Sequence, residues 1–370
     1  MTGSRAQDPT PTPRAPLALA PWTWLVPAIG AGALAASVWM PSGGVVALVA
    51  AAALIGCVVA AVHHAEVVAH RVGEPFGTLV LAIAITVIEV ALIVSLMMSG
   101  GDKAALPRDT VYSTIMIICN GVVGICILVG GVRHHEQVFR IEGANSALAA
   151  LATLSALCLV LPTFTVTAPG PSYTAAQLAF AAVASVVVWS VFVFVQTVRH
   201  RDYFLPLDAD EDHHVPAPTV AVTWASAGLL MVALVAVVGL AKSLSPGIER
   251  IVAAAGAPQA MIGIAIALLV LLPETWAAIR AALANRLQTS LNLALGSALA
   301  SIGLTIPAVA AASVWLEVPL VLGVDAKDLV MLVLTFMVGS FTLVSGRTSV
   351  MQGAIHLVIF AAFLFLSLVP

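Results

Sequence analysis

GEPFGTLVLAIAITVIEVALIVSL, residues 73–96, sets a carboxylate in a stretch that offers it no water. Between Phe76 and Leu96 the only ionisable side chain is Glu89, and everything around it is apolar or small. A run of about 20 such residues is the length that crosses a bilayer core as a helix. Glu89 follows Pro75 by 14 residues, so a helix starting there carries it about 20 Å deep at 1.5 Å per residue. The stretch GAPQAMIGIAIALLVLLPETWAAI, residues 256–279, repeats the plan: a Gly-x-Pro step, an apolar helix, and Glu274 placed 16 residues after Pro258.

Composition names the outer solvent. Hydrophobic residues make up 61% of the 370 positions and charged residues 9%, with a mean hydropathy of +1.08. Soluble domains carry roughly a quarter charged residues, so lipid must cover this chain. The basic residues are scattered singly, which excludes a nucleic-acid partner that needs a run of phosphates neutralised. Cys57, Cys119, Cys126 and Cys158 sit in apolar stretches without CxxC spacing and read as reduced core residues.

The predicted fold is an all-α integral membrane protein of about eleven transmembrane helices, near 22–40, 44–63, 77–98, 110–131, 146–164, 175–198, 219–241, 259–280, 288–314, 326–345 and 350–369. Turns are expected at Pro41-Ser42-Gly43-Gly44, Gly100-Gly101-Asp102, Pro169-Gly170-Pro171 and Ser245-Pro246-Gly247. Residues 1–21 read as a disordered tail without a cleavable signal, and 22–43 as a leading helix. A first five-helix repeat spans 44–198 and a second spans 219–370. Between them, residues 199–218 form a linker with Asp208, Asp210, Glu211 and Asp212. Five crossings reverse direction, so the second set is an inverted repeat. Ten Lys and Arg fall on the N-terminal side of the membrane and five on the other, which predicts a cytoplasmic N-terminus and linker.

Sixteen of the eighteen acids lie in loops, tails or span ends; Glu89 and Glu274 do not. A charge at that depth costs roughly 2.5–3.5 kcal/mol on insertion scales, and no Lys or Arg lies deep enough to offset it. A proton or a cation must. Burial and a second nearby carboxylate both favour a carboxyl's neutral form, whereas a bound divalent cation favours the ionised one. Proton and cation therefore compete for the pair. Hard cations want six to eight oxygens. Thr86 shares a helix face with Ala82 and Glu89, while Asn120, Asn292, Ser297 and Ser301 lie on the following helices of the two repeats with Ser113 and Thr305. Pro273 leaves the Leu269 carbonyl without its helical donor. Glu66, Glu74 and Glu136 lie near helix ends and are candidate cation-collecting groups at the mouth. Set against this, both glutamates could be protonated and hydrogen-bonded for assembly, and Ser and Asn could be simple interhelical partners.

Three histidine pairs, His63-His64, His134-His135 and His213-His214, fall at span ends or in loops; adjacent histidines point about 100° apart on a helix and do not share a face. They read as interfacial groups, and His356 as a bundle histidine. The acidic linker reads as a solvated segment.

The stretches 73–93, 108–131 (RDTVYSTIMIICNGVVGICILVGG), 271–307 (LLPETWAAIRAALANRLQTSLNLALGSALASIGLTIP) and 345–364 (SGRTSVMQGAIHLVIFAAFL) resemble the calcium/cation antiporter superfamily, and more closely its bacterial ChaA-type calcium/proton antiporters. The resemblance implies exchange of cytoplasmic Ca²⁺, or Na⁺ or K⁺, for external H⁺ across the bacterial inner membrane, with Glu89 and Glu274 carrying cation or protons. These ions are cargo, and no cofactor is expected. Many members of the superfamily place Asn shortly before each glutamate; here Val87-Ile88 and Leu272-Pro273 stand there, which leaves fewer amide ligands. Other readings are another divalent-cation transporter, a passive cation channel, or an intramembrane enzyme, for which no nucleophile–base pair or HExxH motif is present.

Overall fold

In a computed structural model of the chain, residues 20–39, 44–73, 76–98, 103–205, 217–256 and 258–369 are described. They form α1 (Pro21–Trp39), α2 (Gly44–Val72), α3 (Phe76–Met97), α4 (Leu106–His134), α5 (Ile141–Phe164), α6 (Ala175–Arg199), α7 (Val220–Ala254), α8 (Ala260–Leu283), α9 (Leu287–Leu316), α10 (Ala326–Val344) and α11 (Val350–Leu368). Ten of these, α2 to α11, are long and apolar enough to cross a membrane. The leading helix α1 packs on α2 and α7, which are the first helices of the two sets of five and lie against each other. On α6, Val183, Val187, Val191 and Phe194 make an exposed apolar stripe, as expected where lipid is the solvent.

Alternate connections gather on two opposite faces. On one, Gln137–Val138 (β1) pairs antiparallel with Arg347–Thr348 (β2), Arg71 donates to the Pro218 carbonyl at 3.3 Å, and the Arg140 N–H donates to Gln288 at 2.6 Å. On the other, the N–H of Val321 donates to the Ala104 carbonyl and that of Gly323 to the Pro171 carbonyl, each at 2.9 Å. The first face carries the linker, and we call it the linker face.

The two halves repeat each other in detail. Gly73 and Gly256 follow α2 and α7 with φ of 76° and 62°, the left-handed geometry in which glycine ends a helix at no steric cost. In α6 and α11, the fifth helices, Thr174 and Ser349 donate their backbone N–H to Gln177 and Gln352 three residues on, at 2.9 and 2.8 Å, the reciprocal half of a capping box. In α4 and α9, the third helices, one wide π-type turn interrupts the α-helix, at Ile117–Val122 and Ser301–Thr305.

Two expectations change. Ser245-Pro246-Gly247 is not a turn but lies inside α7; Ser245 is buried and its hydroxyl donates to Glu249 at 2.8 Å. His64 is not interfacial: α2 continues to Val72, so the ring is fully buried, and its Nε2 lies 2.8 Å from the Thr23 carbonyl of α1. The expected turns at 41–44 and 100–102, and the linker acids with His213 and His214, fall wholly or mostly outside the described residues. Packing is closest where α11 crosses α4: a Cβ on Gly353 would lie 2.5 Å from the Leu128 amide nitrogen. Only a residue without a side chain lets those backbones meet.

Candidate ion-binding site

Glu89 on α3 and Glu274 on α8 point into one space and are held there by α9. Ser301 Oγ donates to Glu89 Oε1 at 2.8 Å, and Ser297 Oγ donates to Glu274 Oε2 at 2.5 Å. The serines are four residues apart, one turn or about 6 Å along the helix. Two successive turns of one helix thus receive a carboxylate from each half of the chain, and the charge of Glu89 bears on Glu274. The ion pairs among the described residues use other acids: Glu249, Asp109, Asp328 and Glu136.

The two acids are not equivalent. Glu89 is 3% exposed, and Thr305, buried a turn beyond Ser301, lies close to it without completing a hydrogen bond. Glu274 is half-buried. Both line a cavity of about 360 Å³ that also receives Thr86, Thr114, Ser297 and Ser301. Since a water in the liquid takes about 30 Å³, the space accommodates a cation with part of its hydration shell. Trp189 and Phe192 of α6 form an aromatic wall. Trp189 stands so close to the π-type turn that a Cβ on Gly303 would lie 2.8 Å from its own Cβ. A Cβ on Gly296, by contrast, would meet nothing within 4 Å, since that glycine faces the open space. From the glutamates the cavity runs to Gln196, Phe204, Thr289 and Asn292, where α6 ends and α9 begins, at the linker face.

The sequence-predicted residues divide into groups. Thr86, Glu89, Glu274, Ser297 and Ser301 converge, and Ala82 shares the cavity wall with Thr86 and Glu89 as its spacing requires. Asn292 lines the outer part, with its amide donating to the Phe204 carbonyl at 2.5 Å and its oxygen accepting from Gln288 at 3.0 Å. Asn120 goes elsewhere. Its amide donates to Thr335 Oγ1 at 2.9 Å and its oxygen faces His356 Nδ1 at 3.4 Å, while His356 Nε2 meets Thr342 Oγ1 at 3.0 Å. Asn120 lies in the π-type turn of α4 and meets α10 and α11, so it does not line the cavity as Asn292 does. His356 is a bundle histidine, 1% exposed, with both nitrogens partnered.

Of the mouth candidates, Glu66 is exposed on α2, and its charge reaches Glu274. Glu136 instead faces Arg347 beside the β1–β2 ribbon at 3.9 Å, off the cavity, and Glu74 lies outside the described residues. Sequence reasoning missed Thr114, Gln196 and Phe204. Gln196 carried a signal, being an uncharged polar side chain near the end of an apolar span; Thr114 and Phe204 carried none. Among the described residues no group of three or more His, Cys, Asp or Glu side chains is placed to hold a metal. An ion here would complete its shell from two carboxylates, hydroxyls, backbone carbonyls and water.

Comparison with known proteins places the chain in a family. The profile of the sodium/calcium exchanger protein family matches residues 42–198 and 225–369, which are the two sets of five helices. Protein y4hA of Sinorhizobium fredii (strain NBRC 101917 / NGR234) is 49% identical over 356 residues, 94% of this chain and 96% of that protein. The sodium-potassium/proton antiporter ChaA of Escherichia coli (strain K12) is 35% identical over 320 residues, 84% of this chain and 86% of that one. Among solved structures, the H⁺/Ca²⁺ exchanger CAX superposes with a TM-score of 0.69 at 15% identity, over 93% of this chain and 87% of that one; the shared fold is a membrane exchanger's. The chain is a multi-pass membrane protein and belongs to the sodium/calcium exchanger family of cation antiporters.

Proposed function

We propose that the chain is a secondary antiporter that exchanges cytoplasmic Ca²⁺, or Na⁺ or K⁺ in its place, for external H⁺ by alternating access across a bacterial inner membrane. The carrying observation is that Glu89 and Glu274 come from separate halves and meet on successive turns of α9, each held by a serine and neither in an ion pair with a Lys or Arg among the described residues. A buried and a half-buried carboxylate at membrane depth without a fixed counter-ion need a compensating load. One divalent cation, two monovalent cations or two protons supplies the same charge, so the site is neutral in either loaded state.

In this reading Glu89 and Glu274 bind cation or protons, and Thr86, Ser297 and Ser301 supply further oxygens. Hydroxyls can donate to a carboxylate when the ion is absent and turn their lone pairs to the ion when it is present. Glu66 adds negative charge near the linker-face mouth. The names of the relatives support cation–proton exchange: ChaA is called a sodium-potassium/proton antiporter and CAX an H⁺/Ca²⁺ exchanger. The cavity leads to the linker face, which the Lys and Arg distribution assigns to the cytoplasm.

Proteoliposomes containing a pH dye test the reading. Adding Ca²⁺, Na⁺, K⁺ or Mg²⁺ on one side should move protons in the opposite direction for at least one of the ions. A cation current without proton movement would mean a channel. Glu89→Gln or Glu274→Gln should abolish pH-driven ⁴⁵Ca²⁺ uptake while the protein still inserts; full activity in both variants would defeat the site assignment.

A further inference from the structure

Asn292 sits on the helix that bears both serines, yet its amide is not turned to the carboxylates. It is committed to a segment of main chain that the sequence marks as the start of a solvated linker. After α6 the chain makes one tight turn, Arg201–Phe204, before leaving the described residues at Leu205. Arg201 and Asp202 of that turn are exposed, but Phe204 is not: it is 7% exposed, lines the cavity, and meets Phe192 edge-to-face with ring centres 5.7 Å apart. Its main chain is held from α9, where Asn292 Nδ2 donates to the Phe204 carbonyl at 2.5 Å and Gln288 Nε2 to the Tyr203 carbonyl at 3.4 Å. Gln288 also donates to Asn292 and accepts from the Arg140 N–H. From α5 the turn is approached so closely that a Cβ on Gly143 would lie 2.6 Å from the Tyr203 carbonyl oxygen.

We propose that Asn292 is a positioning residue which, with Gln288, clamps the Tyr203–Phe204 turn so that the Phe204 ring forms the linker-face gate of the cavity. The inference rests on the cavity being the ion route. Its physical basis is the division of labour along α9. Ser297 and Ser301, one and two turns deeper, spend their hydroxyls on the carboxylates. Asn292 and Gln288, nearer the surface, spend their amides on main-chain carbonyls of the turn, so an aromatic ring lies where the cavity meets the linker face. An aromatic edge against Phe192 favours a defined ring orientation and keeps apolar surface across the mouth. The two amide bonds fix which way the ring points.

A thiol behind the gate reads its position directly. Gly296→Cys places a sulfur in the cavity one turn deeper than Asn292, where a Cβ meets no neighbour. The full-length chain in lipid nanodiscs is treated with a membrane-impermeant methanethiosulfonate, and the label is located by mass spectrometry. In this background Asn292→Ala should speed labelling of residue 296 roughly fivefold, the size expected from losing one ordinary hydrogen bond, and Phe204→Ala, which removes the ring itself and leaves its carbonyl in place, should speed it at least as much. The double variant should label no faster than Phe204→Ala alone, because both changes remove the same gate. Gly143→Ala, which displaces the turn from α5, should act in the same direction. The buried Cys57, Cys119, Cys126 and Cys158 should stay unlabelled throughout, which separates an opened gate from a loosened fold. Asn292→Ala labelling at the parent rate, or rates that multiply in the double variant, would overturn the proposal. Labelling needs neither cation nor pH gradient, so this outcome is independent of whether the chain exchanges ions.

Discussion

Glu89 and Glu274 line one cavity, and in the proposed exchange each must shed any proton it carries before an ion shared between them is fully coordinated. Binding of a cation therefore releases protons, and affinity depends on pH in proportion to their number. Where both carboxyls start protonated, raising the pH by one unit should tighten Ca²⁺ binding on the order of a hundredfold if two protons leave, and tenfold if one does. Calorimetry in buffers of different ionisation enthalpy counts them, and Glu89→Gln should reduce the count by one. The serines come next in order of effect. Ser301→Ala removes a donor from the more buried acid, and ⁴⁵Ca²⁺ uptake should show an apparent KM raised roughly fivefold, about 1 kcal/mol. The two acids were legible in the sequence because a carboxylate in hydrocarbon is expensive wherever its neighbours fall. The asparagines were not. Asn120 and Asn292 are polar and suitably spaced, but which carbonyl or hydroxyl each one meets depends on helices far away in the chain, so spacing alone could not say where either amide would go.

The wide turn Ser301–Thr305 shows how a helix can be adapted to a site. A π-type turn inserts one residue and shifts the register of the helix beyond it, and such turns concentrate at functional positions. Here it begins at the residue that holds Glu89, and Gly303 within it lets Trp189 approach. Gly303→Ala should force the helix from the aromatic wall, lowering transport far more than Ser313→Ala, which alters a hydroxyl bonded only to Val318 beyond the site; matched uptake assays on both variants check this. At this scale apolar length predicted most spans to within a few residues, because hydrocarbon thickness sets it, but α2 runs on from the expected end at 63 to Val72 and α7 from 241 to Ala254. Punctuation was a poorer guide. Ser245-Pro246-Gly247 reads as a turn, yet α7 runs through it, since the hydroxyl of Ser245 and the carboxylate of Glu249 occupy each other one turn apart. His64 likewise looked interfacial until α2 proved long enough to carry it under α1.

Across the molecule the cavity leads to the linker face, while on the opposite face Lys103, ahead of α4, pairs with Glu249 of α7 and donates to Ser245 at 3.3 Å. The pair ties α7, one of the two helices that pack together at the front of each half, to the rest of the bundle on the side away from the cavity mouth. Lys103→Glu should impair exchange, and combining it with Glu249→Lys should restore much of it; initial rates of pH-driven uptake for the single and double variants decide this. The seam between α4 and α11 has a different consequence, one that concerns synthesis. Asn120 enters the bilayer with the first half, but Thr335 and His356, which satisfy it, are translated last, and Gly353 seats its helix against α4 only then. A nascent chain must therefore wait with an unmet amide in lipid until the ribosome has nearly finished, so a message truncated before α10 yields a product that the cell's quality control has reason to destroy.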